Sequence, residues 1–199
     1  MNGYFYIALA ILVLLLLPYV RIFCKRISLY VRLKHICRKR SFKLRGTHFG
    51  WLFSPWWYPR CDFVVEGDHT VYAVKLFASK SRTRTLVFMQ NGSFYWVKRF
   101  VLMGRAVPTL AELEIPEKPH KLPNYDFYVE TDAWSTAYIK PILLVNPICH
   151  EFKREYVAMN AKREELLGSW ERIGSLYLCS SNRFLNEVET YDHQKHIYR

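Results

Sequence analysis

The chain of 199 residues carries no Asp or Glu before Asp62. An N-terminal third without an acid cannot balance its own positive charge, so it is not an ordinary mixed-charge surface. No Cys-x-x-Cys pair occurs among Cys24, Cys37, Cys61, Cys149 and Cys179. An odd number at irregular spacing excludes a disulfide framework and a spaced zinc site, and predicts buried thiols in a reducing compartment. No phosphate-binding glycine loop, Gly-x-Ser-x-Gly elbow or His-Glu-x-x-His helix is present. No internal repeat is visible.

What is present is ordered by charge. Gly3 to Val20 is an uncharged run, GYFYIALAILVLLLLPYV. As a helix its 18 residues reach about 27 Å, close to the ~30 Å of a hydrocarbon core. Tyr4, Tyr6 and Tyr19 fall near its ends, where aromatic rings favour the membrane interface. A cleaved signal peptide would carry a basic n-region and a small-residue cleavage site, and neither is present. A buried core helix seldom runs so far without a charge.

Arg21, Lys25, Arg26, Arg32, Lys34, Arg38, Lys39, Arg40, Lys43 and Arg45 follow the run. With Arg60 the first 61 residues hold 11 basic groups, leaving 18 basic and 17 acidic groups for the remainder. The folded domain is nearly neutral, which disfavours a nucleic-acid partner. The cations crowd behind the apolar run, so the positive-inside rule predicts an outside N-terminus and a cytoplasmic domain. On a helix over 21–40, Arg21, Lys25, Arg32 and Lys39 share one stripe, with Phe23, Ile27, Tyr30 and Cys37 roughly opposite. Two readings stand side by side: a surface helix touching anionic lipid headgroups, or a charge run that only sets topology. Trp51, Trp56 and Trp57 in the aromatic hinge FGWLFSPWWYPRC either rest at the interface or pack beneath the domain.

The expected organisation is a transmembrane anchor (1–20), a basic juxtamembrane helix and hinge (21–60), a cytoplasmic domain (61–192) and a polar tail (193–199). Within the domain, 61–67, 70–77, 85–90 and 93–100 read as an antiparallel four-strand meander, with Asn91-Gly92 as a hairpin turn. A surface connection with a short helical turn at 109–114 is expected next. Strands follow at 126–131, 140–147 and 172–180, with 154–160 as a further strand, 161–167 as a helix or exposed hairpin arm, and a helix over 182–191 capped by Ser181. The fold class is α+β, a mixed sheet with flanking helices.

Asp62 on one strand and Tyr72-Ala73-Val74-Lys75 on the next carry the chief chemical signal. A two-residue turn at 67–68 or 68–69 places Asp62, Ala73 and Lys75 on one face. The pattern resembles the core of PD-(D/E)xK nuclease-like proteins, and implies a restriction-endonuclease-like sheet. In that superfamily two acids hold a divalent metal such as Mg²⁺ that activates water, and the lysine assists. Ala73 stands where the second acid belongs, and Glu66 lies on Asp62's face but farther along the strand. The resemblance therefore implies a degenerate remnant of Asp62, Glu66 and Lys75, with no metal and no cofactor. The ordinary alternative is a cross-strand ion pair. The layout of anchor, basic helix, CDFxxE strand, AVKLF strand and LLVNP strand is also similar to uncharacterised bacterial single-span membrane proteins.

Three functions follow as expectations. The first is a membrane-tethered, non-catalytic scaffold for an unidentified protein partner. The second is a membrane-anchored metal-dependent nuclease, and the third an anionic-lipid-binding surface protein. Weaker signals are His193 and His196 on the tail, the adjacent Cys149-His150, and the loop basic residues Lys80, Arg82 and Arg84.

Overall fold

The computed structural model describes residues 3–46, 55–67, 70–79, 83–103, 110–125, 127, 138–146, 149, 151–158 and 161–195. Helix α1 (Gly3–Arg40) runs unbroken through the apolar run and the basic segment, with Pro18 inside it. At 1.5 Å per residue it is about 57 Å long. Its described side chains before Val20 are largely solvent-exposed and touch no core, while Leu29, Leu33, Ile36 and Cys37 are buried. The helix ends where Ser41 takes φ +61° and the Phe42 amide donates to the Cys37 carbonyl at 2.9 Å. That 6→1 bond, with the Phe42 ring packed back on the core, is a Schellman stop. Arg38, Lys39 and Arg40 in the last turn complement the negative end of the helix dipole.

The first sheet is ordered β1 (Lys43–Gly46), β2 (Phe63–Glu66), β3 (Thr70–Phe77), β8 (Tyr138–Val145), β12 (Leu176–Ser180) and β11 (Arg172–Ile173). The neighbours β3, β8 and β12 are parallel, and the other pairs antiparallel. The second sheet is ordered β10 (Ala161–Leu166), β9 (Glu151–Ala158), β4 (Arg84–Met89), β5 (Ser93–Met103) and β6 (Leu110–Pro116), and β7 (His120–Lys121) also pairs with β5. Helix α2 (Ser181–Lys195) follows β12 directly.

Alternation along β3 builds two cores. Tyr72, Val74 and Leu76 face the helices and meet Leu29, Leu33 and Ile36 of α1 and Phe184, Leu185 and Val188 of α2. Phe77, with Leu143, Val145 and Leu178, faces Leu86, Phe88, Phe94, Trp96 and Phe152 of the second sheet. The layers are helices, first sheet, second sheet. Mixed sheets with helices on one face agree with the α+β expectation.

Several expectations are corrected. The four strands of 61–103 are two hairpins in two different sheets, not one meander. Every residue of β3 is buried, so its second edge needs an apolar neighbour, and β8 supplies it. The hairpin expected at Asn91-Gly92 forms, with β4 and β5 paired antiparallel on either side of it. The Gly92 amide donates to the Met89 carbonyl and Gly92 takes φ +76°, a three-residue loop closed by a left-handed glycine. Residues 110–116 form strand β6 rather than a helical turn, since β5 offers an edge to pair with. The 172–180 segment is a hairpin broken at Gly174. β9 and β10 form a hairpin, with β10 the exposed arm. Helix α2 continues to Lys195, into the segment expected as tail. The 126–131 strand lies outside the described residues apart from Phe127.

The boundary at residue 20/21 is no structural break. Residues 26–37 are a wall of the domain core, not a separate juxtamembrane piece, because Leu29, Leu33 and Ile36 cover the apolar face of β2, β3 and β8.

Candidate functional site

β2 and β3 pair in the register Phe63↔Val74 and Glu66↔Val71, which sets the loop at residues 68–69. That register brings Asp62 opposite Lys75 on the face turned toward the second sheet. Lys75 Nζ lies 3.1 Å from Asp62 Oδ1 and donates to the Arg60 carbonyl at 3.2 Å. Asp62 Oδ2 accepts the Leu76 amide at 2.7 Å. Both side chains are out of water, at 0% and 2% exposure. The rings of Tyr58 and Tyr125 stand 5.4 and 5.8 Å from the ammonium. The Tyr125 hydroxyl donates to the Trp56 carbonyl at 2.7 Å.

Burial pushes the Lys75 pKa below its ordinary value, and the Asp62 charge and hydrogen bond act against that shift. Burial, then the Asp62 charge, holds the Tyr125 hydroxyl well above the usual phenol range. A third charge comes from α1. Arg26 is buried, attracts Asp62 and repels Lys75. The cluster sits at the carboxyl ends of β3 and β8, where the Asn146 amide bonds the Phe77 carbonyl and its side chain donates to the Lys25 carbonyl of α1 at 3.2 Å.

The other expected members do not converge. Ala73 is fully buried, paired with Val64 on one side and Pro141 on the other. Glu66 lies four residues from Asp62, about 13 Å along the strand. It is held by Arg45 of β1 at 3.0 Å, so it cannot swing into the second-acid position as the sequence left open. Among the described residues no three His, Cys, Asp or Glu side chains gather as a metal site. What the arrangement does chemically is tie the β2–β3 hairpin to the Arg60 loop through one buried ion pair, with the Arg26 charge of α1 acting on both members.

The remaining candidates are placed as follows. Lys25 and Arg32 are exposed, and Arg21 is half-buried. Lys39 is exposed and 3.6 Å from Glu189 of α2. The face opposite these cations is shifted from the expected one: Arg26, Leu29, Leu33, Ile36 and Cys37 are buried, while Ile27 and Tyr30 are exposed. Trp56 is half-buried, and its ring packs edge-on against Phe77, Phe94 and His120 beneath the domain. Trp57 is exposed, and Trp51 lies outside the described residues. Cys149 is buried, donates to the Glu151 carbonyl, and has its pKa pushed up to about 12 by burial, which disqualifies it as a nucleophile. His150 and His196 lie outside the described residues. Arg84 pairs with Glu117 at 2.9 Å, and the other loop bases, Lys80 and Arg82, lie outside the described residues.

Sequence reasoning missed Arg26, Tyr58 and Tyr125, and a second cation site. Lys140 on β8 lies 3.9 Å from the Trp170 ring centroid, with Tyr177 at 5.3 Å and Glu187 at 3.5 Å. Trp170 is held at φ +73° with its amide bonded to the Leu178 carbonyl. Arg26 was findable, since it continues the 29–33–36 helical spacing. The aromatic partners come from distant segments and left no local signal.

Fold and site together define an α+β domain whose N-terminal helix is long and apolar enough to cross a membrane. Comparison with known protein families, curated proteins and solved structures finds no match.

Proposed function

We propose that this chain is a single-span membrane protein, N-terminus outside, whose cytoplasmic domain works as an interaction module held at the bilayer. The carrying observation is α1. One helix presents exposed apolar residues over its first half and core-forming residues over its second. Charge supports the orientation, since the 11 basic groups of residues 1–61 all follow the apolar run.

Anionic headgroups would meet only part of the basic stripe. Arg21 and Lys25 lie within about 8 Å of Val20 along the helix, while Arg32 and Lys39 lie roughly 18 and 28 Å away. At a Debye length of ~8 Å the latter two contribute little, and the first two about 1 kcal/mol each. A protein partner has an open edge to use. Among the described residues strand β10 ends its sheet with every residue exposed, Leu166 included, beside the exposed Val157 of β9. Sealed vesicles of known sidedness test the orientation. Added protease should digest the domain in inverted vesicles and spare it in right-side-out ones. The opposite pattern would reverse the topology.

The nuclease-like reading, with its restriction-endonuclease-like sheet, has one supporting observation: Asp62 stands opposite Lys75 on adjacent antiparallel strands. Against an active site stand Ala73 in its closed slot and the commitment of both Asp62 oxygens. The purified chain should leave DNA and RNA intact with Mg²⁺ or Mn²⁺. Cleavage abolished by chelation would replace the scaffold reading with an enzyme.

A further inference from the structure

We infer that the edge of the domain carrying the Pro55–Tyr58 turn is apposed to the bilayer, with Trp57 seated among the lipid headgroups. This rests on the reading of α1 as a membrane span. Three observations carry it.

The first is direction. Helix α1 leaves the apolar run at Val20 and packs along the first sheet through Leu29, Leu33 and Ile36. The Asn146 side chain at the carboxyl end of β8 donates to the Lys25 carbonyl. Lys25 is five residues past Val20, about 7.5 Å along the helix. The headgroup layer is itself roughly 5–8 Å thick on each side. The carboxyl ends of β3 and β8 therefore come up to the outer limit of that layer.

The second is the position of the turn. The Asn146 amide bonds the Phe77 carbonyl, and the Phe77 ring meets Trp56 at 6.1 Å between centroids. The Tyr58 amide donates to the Pro55 carbonyl at 3.1 Å, closing a turn with Trp56 and Trp57 at its centre. Trp56 points into the core from this end of the sheet.

The third is exposure. Trp57, its neighbour in the same turn, is 62% exposed, and Tyr58 is 42% exposed. An indole left in solvent next to a half-buried one, at the end of the sheet that meets Lys25 of α1, fits the interface, whose amphipathic character suits Trp and Tyr. The proposed occupant is the lipid surface, because the chain itself delivers that surface to this edge. The domain is thereby held at two points, α1 and the turn, which fixes its tilt against the bilayer.

The test is fluorescence quenching of the full chain in vesicles whose acyl chains are brominated near the headgroup. Wild type should show a quenched, blue-shifted component that disappears in Trp57→Phe, and again in Trp57→Tyr. Unchanged quenching in both variants, in protein that still sediments with the vesicles, overturns the inference and leaves the anchor standing. Protein that does not sediment with vesicles overturns the anchor itself.

Discussion

Asp62→Ala is expected to cost the domain about 3–5 kcal/mol, the loss found when one partner of a buried ion pair is removed. For a domain of this size that lowers the melting temperature by roughly 6–20 °C. Two groups lose their partner at once. The Lys75 ammonium stays out of water without its carboxylate, and the Leu76 amide loses the oxygen it bonds at 2.7 Å. The double variant Asp62→Asn with Lys75→Met should recover part of the loss. The new amide oxygen still accepts from Leu76 and the lysine charge is gone, while the buried Arg26 no longer has the Asp62 carboxylate to attract it.

The pH dependence gives the same prediction a sign. Burial lowers the folded pKa of Lys75 below its value in the unfolded chain. Between those two values the unfolded chain binds more protons, so stability rises with pH through the window. The burial cost is fully present below the folded pKa and fades as pH climbs toward the ordinary lysine value of about 10.5. In Asp62→Ala the charge that held the lysine pKa up is gone. The gap between wild type and variant should therefore be widest near neutral pH and narrow toward pH 10. Denaturant unfolding followed by circular dichroism measures both. A gap under about 1 kcal/mol at neutral pH would show that the pair contributes nothing to the fold.

Where an interaction was local, the sequence carried it. Alternation and a turn signal put Asp62 and Lys75 on one face and left the turn at 67–68 or 68–69; the β2–β3 register selects the second and sets the two opposite each other. Strand 140–147 was readable from its apolar run, and Ser181 marked the start of α2. Sheet membership was not readable. β3 and β4 are adjacent in sequence yet belong to different sheets, because β3 takes as its neighbour β8, a strand some 60 residues further on. No local pattern records that choice. The basic segment misled for a different reason. Its cations drew attention to one stripe and suggested Phe23, Ile27 and Tyr30 as the other face. The core instead claims Arg26, Leu29, Leu33 and Ile36, and accepts a buried arginine because Asp62 is near enough to attract it.

Truncation separates the two halves of α1. A chain beginning at residue 21 should fold, since the exposed side chains before it touch no core. A chain beginning at residue 41 should not fold. It loses Leu29, Leu33 and Ile36 from the first sheet's helical face, each worth about 1.5–3 kcal/mol on burial. The sum is comparable to the whole stability of a typical domain, about 5–15 kcal/mol. Cooperative unfolding in urea by the shorter chain, with the midpoint of the longer one, would show that residues 21–40 are a dispensable tether.

The most direct measurement is alkaline washing of membranes that hold either the full chain or the chain beginning at residue 21. A helix that crosses the bilayer and then builds the domain keeps the full chain in the washed pellet, while the shorter chain stays folded in the supernatant. Release of the full, unprocessed chain by the wash would contradict the account.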